Sequence, residues 1–415
     1  MVDVRALVSS DQRKAFGLRW KIPVELSEKY RPGQIRISCL TLLAGAGTRW
    51  IKSLAAAREG EVSAAAASGE GAVASGNAVA TSDGSGADAK VRHGPAALEP
   101  DALKPAAVQT RDSVDFPLSA PRGLYPVKNY IGARGLVSNG APPTRIPLAA
   151  YAIDAFRGLG HHTIVIRGWK EAICSQVLTP LGIDCSDVDF FEQRPDRNGK
   201  VSGHGDATWQ ARDLWNTSEY VMVNFGGDAN SPLTALASAL AMAALVDARE
   251  DIGLLLPVAR IRNPAYPVHV DRDGRPTGFG HDKLGGKRAA SPYAPKDGYA
   301  YTNVGIRVYR TADLADVLQS VRERYWNESD GYTIPGNDPA GHEFALDNVD
   351  SLLASEGRAR ILPIAAPDEL SPAKSFDEIP RFEGSVAQVR AEWNQFLSTT
   401  STMKSLTAWT ERRGR

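Results

Sequence analysis

The sequence predicts an α/β protein: a three-layer αβα arrangement around a mixed, mostly parallel sheet. Three observations lead there. From residue 146 onward, short β-branched runs alternate with helical patterns, as in sheets whose strands are joined by crossover helices. One run, "EYVMVNFGGD" (Glu219–Asp228), is apolar along most of its length, as a strand covered on both faces is. Two glycine-rich stretches, "AGAGTR" (Ala44–Arg49) and "FGGD" (Phe225–Asp228), each follow an apolar run. They fall at the carboxyl ends of strands, where α/β sheets bind ligands.

The elements follow in order. "LTLL" (Leu40–Leu43) is a strand that runs into the first glycine stretch. "IPLAAYAIDAFRGLG" (Ile146–Gly160) has amphipathic helical spacing and a glycine stop. "HTIVIRG" (His162–Gly168) is a strand, a helix is expected from Trp169 towards Leu178, and "DVDFFEQ" (Asp187–Gln193) is the next strand. "ATWQARDLW" (Ala207–Trp215) reads as helix. After Glu219–Asp228, Ser231 and Pro232 open a long apolar helix as N-cap and first helical residue. "VHVDRDGRPTGF" (Val268–Phe279) is a hairpin turning at Asp273–Gly274. "YTNVGIRVYR" (Tyr301–Arg310) is a strand, followed by a helix capped by Thr311. His342–Gly357 is a further helix, "ARILPIA" a strand, and Ile379–Trp409 a partly exposed helical stretch.

Residues 1–54 form an N-terminal segment with the first strand and loop. Residues 55–115, rich in Ala, Gly and Ser, carry too little apolar surface to offset the entropy of ordering and are expected to be a disordered insertion. Residues 116–378 complete the domain, and 379–415 extend it as a helix.

Composition excludes several classes. Lys+Arg and Asp+Glu both number 48, which argues against a nucleic-acid binder that works through bulk charge. No apolar run is long enough to span a bilayer, and the first twenty residues lack the apolar segment of a secretion signal. Cys39, Cys174 and Cys185 are odd in number without CxxC spacing, and read as reduced thiols of a cytoplasmic protein. His161 and His162 adjoin a strand start and read as solvated rather than metal-binding.

The glycine stretch poses the functional question. Two glycines spaced by one residue, with an arginine two positions on, suit a phosphate, because bare amides approach the anion and guanidinium grips it. GxxxxGK[ST] is absent, and Trp50 stands where GxGxxG needs its third glycine. What remains is LxxGxGTR: Leu42, Leu43, Ala44, Gly45, Ala46, Gly47, Thr48, Arg49.

This string resembles the signature loop of sugar-nucleotide pyrophosphorylases, the sugar 1-phosphate nucleotidyltransferases. "APRGLYPV" (Ala120–Val127) resembles the family's second basic motif, with Arg122 at the lysine position. "FFEQ" and "GHGDATWQA" (Gly203–Ala211) resemble its base-recognition strand and helix start. "VNFGGDANSP" (Val223–Pro232) resembles its metal-holding strand end, and "NVGIRVYR" (Asn303–Arg310) the strand lining its sugar pocket. The pieces are collinear over most of residues 36–310. The insertion separates two basic motifs that the family keeps about ten residues apart.

The resemblance implies a Rossmann-like, GT-A-like nucleotidyltransferase fold and a Mg²⁺-dependent reaction between an NTP and a sugar or cyclitol 1-phosphate. On it, Leu43 and the amides of Ala44, Gly45, Ala46, Gly47 and Thr48 bind nucleotide, and Arg49 holds the β- and γ-phosphates. Arg122 stabilises the α-phosphate, with Lys128 as an alternative ammonium. Gln193, Gly205, Asp206 and Ala207 meet the base, Asn303 and Gly227 meet the sugar, and Asp228 with Asp377 hold Mg²⁺. Neither base nor sugar is specified. Two other readings stay open: a glycosyltransferase of related fold that uses a nucleotide sugar, and a non-catalytic nucleotide-sugar-binding regulator.

Overall fold

The computed structural model describes residues 36–43, 121–131, 145–196, 199, 201–247, 250–262, 264, 266–272, 274–279, 299–335, 343–364, 373 and 375–399. The glycine-rich Ala44–Arg49 and the Ala/Gly/Ser-rich 55–115 lie outside these residues.

Ten strands form one sheet. Its first half is parallel, in the order β5 (Val188–Glu192), β4 (His161–Ile166), β1 (Ile37–Leu42) and β6 (Tyr220–Phe225). Beyond β6 come β11 (Arg307–Arg310), β7 (Leu254–Arg262), β10 (Tyr299–Asn303), β8 (Pro267–Val270) and β9 (Pro276–Phe279), all antiparallel to their neighbours in this series. β14 (Ala359–Ile364) lies parallel on the other side of β7. A mostly parallel sheet was the expectation. The sheet is in fact mixed in nearly equal parts, because its second half is built from hairpins and short returns that need no crossover. A small separate ribbon pairs β2 (Pro126–Lys128) with β3 (Arg145–Pro147), and another pairs β12 (Trp326–Asn327) with β13 (Gly331–Tyr332).

Alternation along β1 divides the core. Ile37 and Cys39 face one apolar cluster with Met222, Val308 and the long helix α5 (Pro232–Asp247). Leu40 and Leu42 face another, beneath α3 (Gly203–Gln210), α4 (Arg212–Trp215), α6 (Thr311–Tyr325) and α7 (Leu346–Ser355). Helices thus cover both faces, as the period-2 pattern of strands requires. A third cluster joins α1 (Ala149–Ala155), α2 (170–181) and α8 (Ile379–Thr399), through Tyr151, Ile153, Phe382 and Val386. Helix α8, expected as an extension, is fastened to the body there. Arg390 pairs with Asp154, and Glu383 pairs with Lys128 at 3.1 Å.

Several local expectations change. The helix over 146–160 is only Ala149–Ala155, and all seven residues are buried; Arg145–Pro147 is strand, and the helix is enclosed, not amphipathic. The strand over 301–310 breaks at Val304–Ile306, where Gly305 takes φ 86°. Thr311 begins α6 rather than capping it, and its hydroxyl is buried without a partner among the described residues. Ser231 does cap α5, its Oγ accepting from the Leu233 amide at 3.1 Å.

The cysteines also differ from expectation. Cys174 and Cys185 are disulfide-bonded, with Cα atoms 5.4 Å apart, and only Cys39 is free. Helix α2 winds through a π-turn at Cys174–Leu178, and the chain reverses at Gly182 (φ 67°). That reversal brings two thiols of no recognisable spacing together. The histidines separate as strand neighbours must: His161 is exposed and meets Asp189 at 2.6 Å, whereas His162 is buried against the Thr41 hydroxyl at 2.8 Å.

Candidate functional site

The carboxyl ends of β4, β1 and β6 finish level. The Gly226 amide donates to the Leu42 carbonyl at 3.1 Å, and the Leu43 amide donates to Val165 at 2.8 Å. A tight turn follows β6, with the Asp228 amide donating to Phe225 at 3.1 Å. A methyl on Gly226 would overlap the tip of the Leu43 side chain. The residue leading into the glycine-rich segment is therefore packed directly on the glycine turn of β6.

Arg122 reaches the same place from elsewhere in the chain. Pro121 is extended, and Arg122–Leu124 form a single 3₁₀ turn closed by the Leu124 amide on Pro121 at 2.9 Å. Leu124 and Tyr125 are buried and anchor it. A methyl on Gly123 would stand 3.1 Å from Ala149 and 3.3 Å from Leu43, so the turn is clamped between α1 and the end of β1. The Arg122 guanidinium lies against the Gly227 backbone. Burial draws its pKa below the usual arginine value, while the carboxylates of Asp228 and Glu378 act the other way.

The break between β10 and β11 closes another side. Asn303 Oδ1 accepts from the Gly305 amide at 3.0 Å, and Gly305 presents its bare Cα to the Asp228 carboxylate. Asn230 donates to the Val304 carbonyl at 3.0 Å, and its own Oδ1 is buried without a partner among the described residues. Leu43, Arg122, Gly227, Asp228 and Asn303 are thus brought into one neighbourhood.

Other expected residues are engaged elsewhere. Gln193 is buried and donates to the Gly203 carbonyl at 3.1 Å. The Gly205 amide donates to Phe344 at 2.8 Å, and Ala207 is buried in the core. Asp206 accepts from the Tyr332 hydroxyl at 2.8 Å and from Gln210 at 2.6 Å, and pairs with Arg322 at 3.2 Å. Burial raises its pKa despite these partners. Arg322 in turn lies over the rings of Trp209 and Trp326. These groups tie α3 to α6 and to the β12–β13 ribbon. Lys128 is held by Glu383, and Asp377 is exposed on the turn before α8.

No family model matches this chain, and no curated protein matches it.

Sequence reasoning missed Glu378, Asn230 and Gly305. Glu378 adjoins the chosen Asp377, and the 3₁₀ turn Phe376–Glu378 leaves Asp377 exposed while the Glu378 charge acts on Arg122. Asn230 and Gly305 stood inside the quoted motifs, but nothing in one sequence tells a ligand-facing amide from a loop-fastening one.

A buried guanidinium against the Gly227 backbone, with the charges of Asp228 and Glu378 acting on it, suits anion chemistry, because low local dielectric strengthens its pull on a developing charge. Among the described residues, no group of three or more His, Cys, Asp or Glu side chains could hold a metal. Mg²⁺ arriving with phosphates needs only one or two carboxylates; of the two expected, Asp228 lies against Gly305 while Asp377 is exposed on the turn before α8. Among the described residues, no helix is long and apolar enough to cross a membrane.

Proposed function

We propose that this chain is a nucleotidyltransferase that joins an NTP to a sugar or cyclitol 1-phosphate and releases pyrophosphate. The observation that carries the reading is the seat of Arg122. It lies against Gly227 and beside Asp228, at the carboxyl ends of β1 and β6, on a turn packed against Leu43. Three motifs that are distant in sequence converge there, in the order the resemblance calls for.

In this reaction an oxygen of the sugar phosphate attacks the α-phosphorus of the NTP, and the bond to the pyrophosphate oxygen breaks. The protein positions the reactants and neutralises charge. Arg122 stabilises the negative charge growing on the α-phosphate oxygens. The residues after Leu43 supply amides and Arg49 for the β- and γ-phosphates. Asp228 would hold Mg²⁺, which neutralises charge between the phosphates. The Asn303 side chain, its Oδ1 fixed by Gly305, offers its amide N–H groups to a sugar hydroxyl.

The test is pyrophosphate release by the purified chain with Mg²⁺, crossing each common NTP with sugar and cyclitol 1-phosphates. Release that requires both substrates, and falls about 100-fold or more in Arg122→Met and Asp228→Asn, supports the reading. Silence across the panel, with tight binding of a finished nucleotide sugar, would sink it and favour a glycosyltransferase or a regulator.

A further inference from the structure

Strand β4 ends between two parts of the candidate site. The Leu43 amide donates to the Val165 carbonyl at 2.8 Å on one side, and the Gln193 amide donates to the Ile166 carbonyl at 2.9 Å on the other. The chain then passes through Arg167 and Gly168 (φ 74°) to Trp169, the residue before α2. Trp169 has φ 67°, and among the described residues it is the only one other than glycine with positive φ. It is also the only exposed tryptophan among them, at 40%.

Neither feature serves the fold. The turn is held by its backbone and its neighbours: the Trp169 carbonyl accepts from the amide of buried Ile173 at 3.0 Å, and Lys170 lies over the Phe190 ring at 5.1 Å. The indole has no hydrogen bond or ring partner among the described residues. A bulky side chain is strained at this φ where glycine is not, and an indole left in water gains no burial to offset the strain. Uncompensated strain of this kind gathers at ligand sites.

The base is the part of an incoming nucleotide that still lacks a partner. The groups expected at its edge are engaged within the protein. Gln193 donates to the Gly203 carbonyl, the Gly205 amide donates to Phe344, and Asp206 is held by Tyr332, Gln210 and Arg322. An aromatic face at the end of β4 holds a base in another way, by stacking, which suits every base because each has a π-face.

We propose that Trp169 is a nucleotide-binding residue whose indole stacks on the base of the incoming NTP. The inference deepens the proposed function and rests on it, since that reading puts the triphosphate at the neighbouring end of β1.

The experiment is calorimetric titration of the full chain with ATP, GTP, CTP and UTP, and with inorganic triphosphate as a ligand that has no base. The proteins are the parent, Trp169→Phe and Trp169→Gly. Trp169→Gly is expected to bind the NTPs about tenfold more weakly and triphosphate as the parent does. Trp169→Phe keeps a face to stack on and should stay within about threefold of the parent. The urea midpoint of Trp169→Gly should rise, because the strain is relieved. NTP affinity unchanged in Trp169→Gly overturns the proposal, as does equal weakening of NTP and triphosphate, or a phenylalanine variant as weak as the glycine one. A midpoint below the parent's also overturns it, since the indole would then be a packing residue, and so does a parent that binds no NTP. Should Trp169→Gly not fold, Trp169→Asn replaces it, asparagine being tolerant of this backbone. Pyrophosphate release with sugar and cyclitol 1-phosphates is read in parallel. NTP binding that needs Trp169, without release on any acceptor, keeps this inference and removes the nucleotidyltransferase reading; release with a KM for NTP unchanged in Trp169→Gly does the reverse.

Discussion

The Asp228 carboxylate is packed against the bare Cα of Gly305, just before β11, the strand that neighbours β6, where the chain takes φ 86°. Both facts demand glycine: L-residues are strained at that φ, and a methyl there would overlap the carboxylate. Gly305→Ala is expected to lose about 2–4 kcal/mol of stability and most nucleotidyl transfer, because Asp228 must leave its place. Chemical denaturation and the pyrophosphate assay check the two effects together. A variant as stable and active as the parent would show that the carboxylate has another seat.

Gly227 offers the contrasting case. A methyl there would meet the Arg122 guanidinium, at 2.6 Å from Cζ. The obstacle is the far end of a flexible side chain, so it moves at small cost. Gly227→Ala should change stability by under about 1 kcal/mol, yet lower kcat by about 10- to 100-fold by shifting the guanidinium. Loss of folding with retained specific activity would contradict this. Comparing kcat with the denaturation midpoint tells the two apart.

These sites mark the boundary of what the sequence discloses. Strand β6 and the start of α5 were legible because their signals are local: an apolar run, a glycine turn, then Ser231 and Pro232 in capping order. Gly357 likewise stops α7 with φ 73°. Helix α1 was misread because it is buried on every side, which erases the polar stripe that periodicity needs. The orientation of β10 and β11 depends on partners far away in the chain, Val258 and Val223 among them. Arg122 and Asp228 were singled out by the resemblance, and the structure brings Arg122 against Gly227, next to Asp228. The docking of Ala373 on Gly227, by contrast, joins segments more than a hundred residues apart, which no local pattern announces.

The Cys174–Cys185 bridge closes a loop with a sequence separation of 11. A crosslink of that span removes loop entropy worth about 3 kcal/mol from the unfolded chain. Cys174→Ser should lower unfolding free energy by about 2–3 kcal/mol under oxidising conditions. In excess dithiothreitol, parent and variant should converge. Paired urea titrations with and without reductant decide it, and a deficit that persists in reductant would assign the cost to packing instead.

His162 provides the pH test. Burial, with a smaller contribution from His161, lowers its pKa from 6.5 to about 4, and the neutral ring meets the Thr41 hydroxyl at 2.8 Å. The unfolded chain binds the proton more readily than the folded one, so this group's contribution is full above pH 6.5 and drains away as pH falls towards 4. The span corresponds to about 3 kcal/mol. Asp350 works in the opposite sense: burial beside Arg307 and Asp347 leaves its pKa raised to about 6, so its contribution declines as pH rises through that value. The readout is therefore a difference. His162→Gln should be less stable than the parent at pH 7, through lost packing, and the gap should close by about 2–3 kcal/mol between pH 7 and 4. Urea unfolding at several pH values gives the curve, and a gap that stays constant would mean the ring carries its proton in the folded protein.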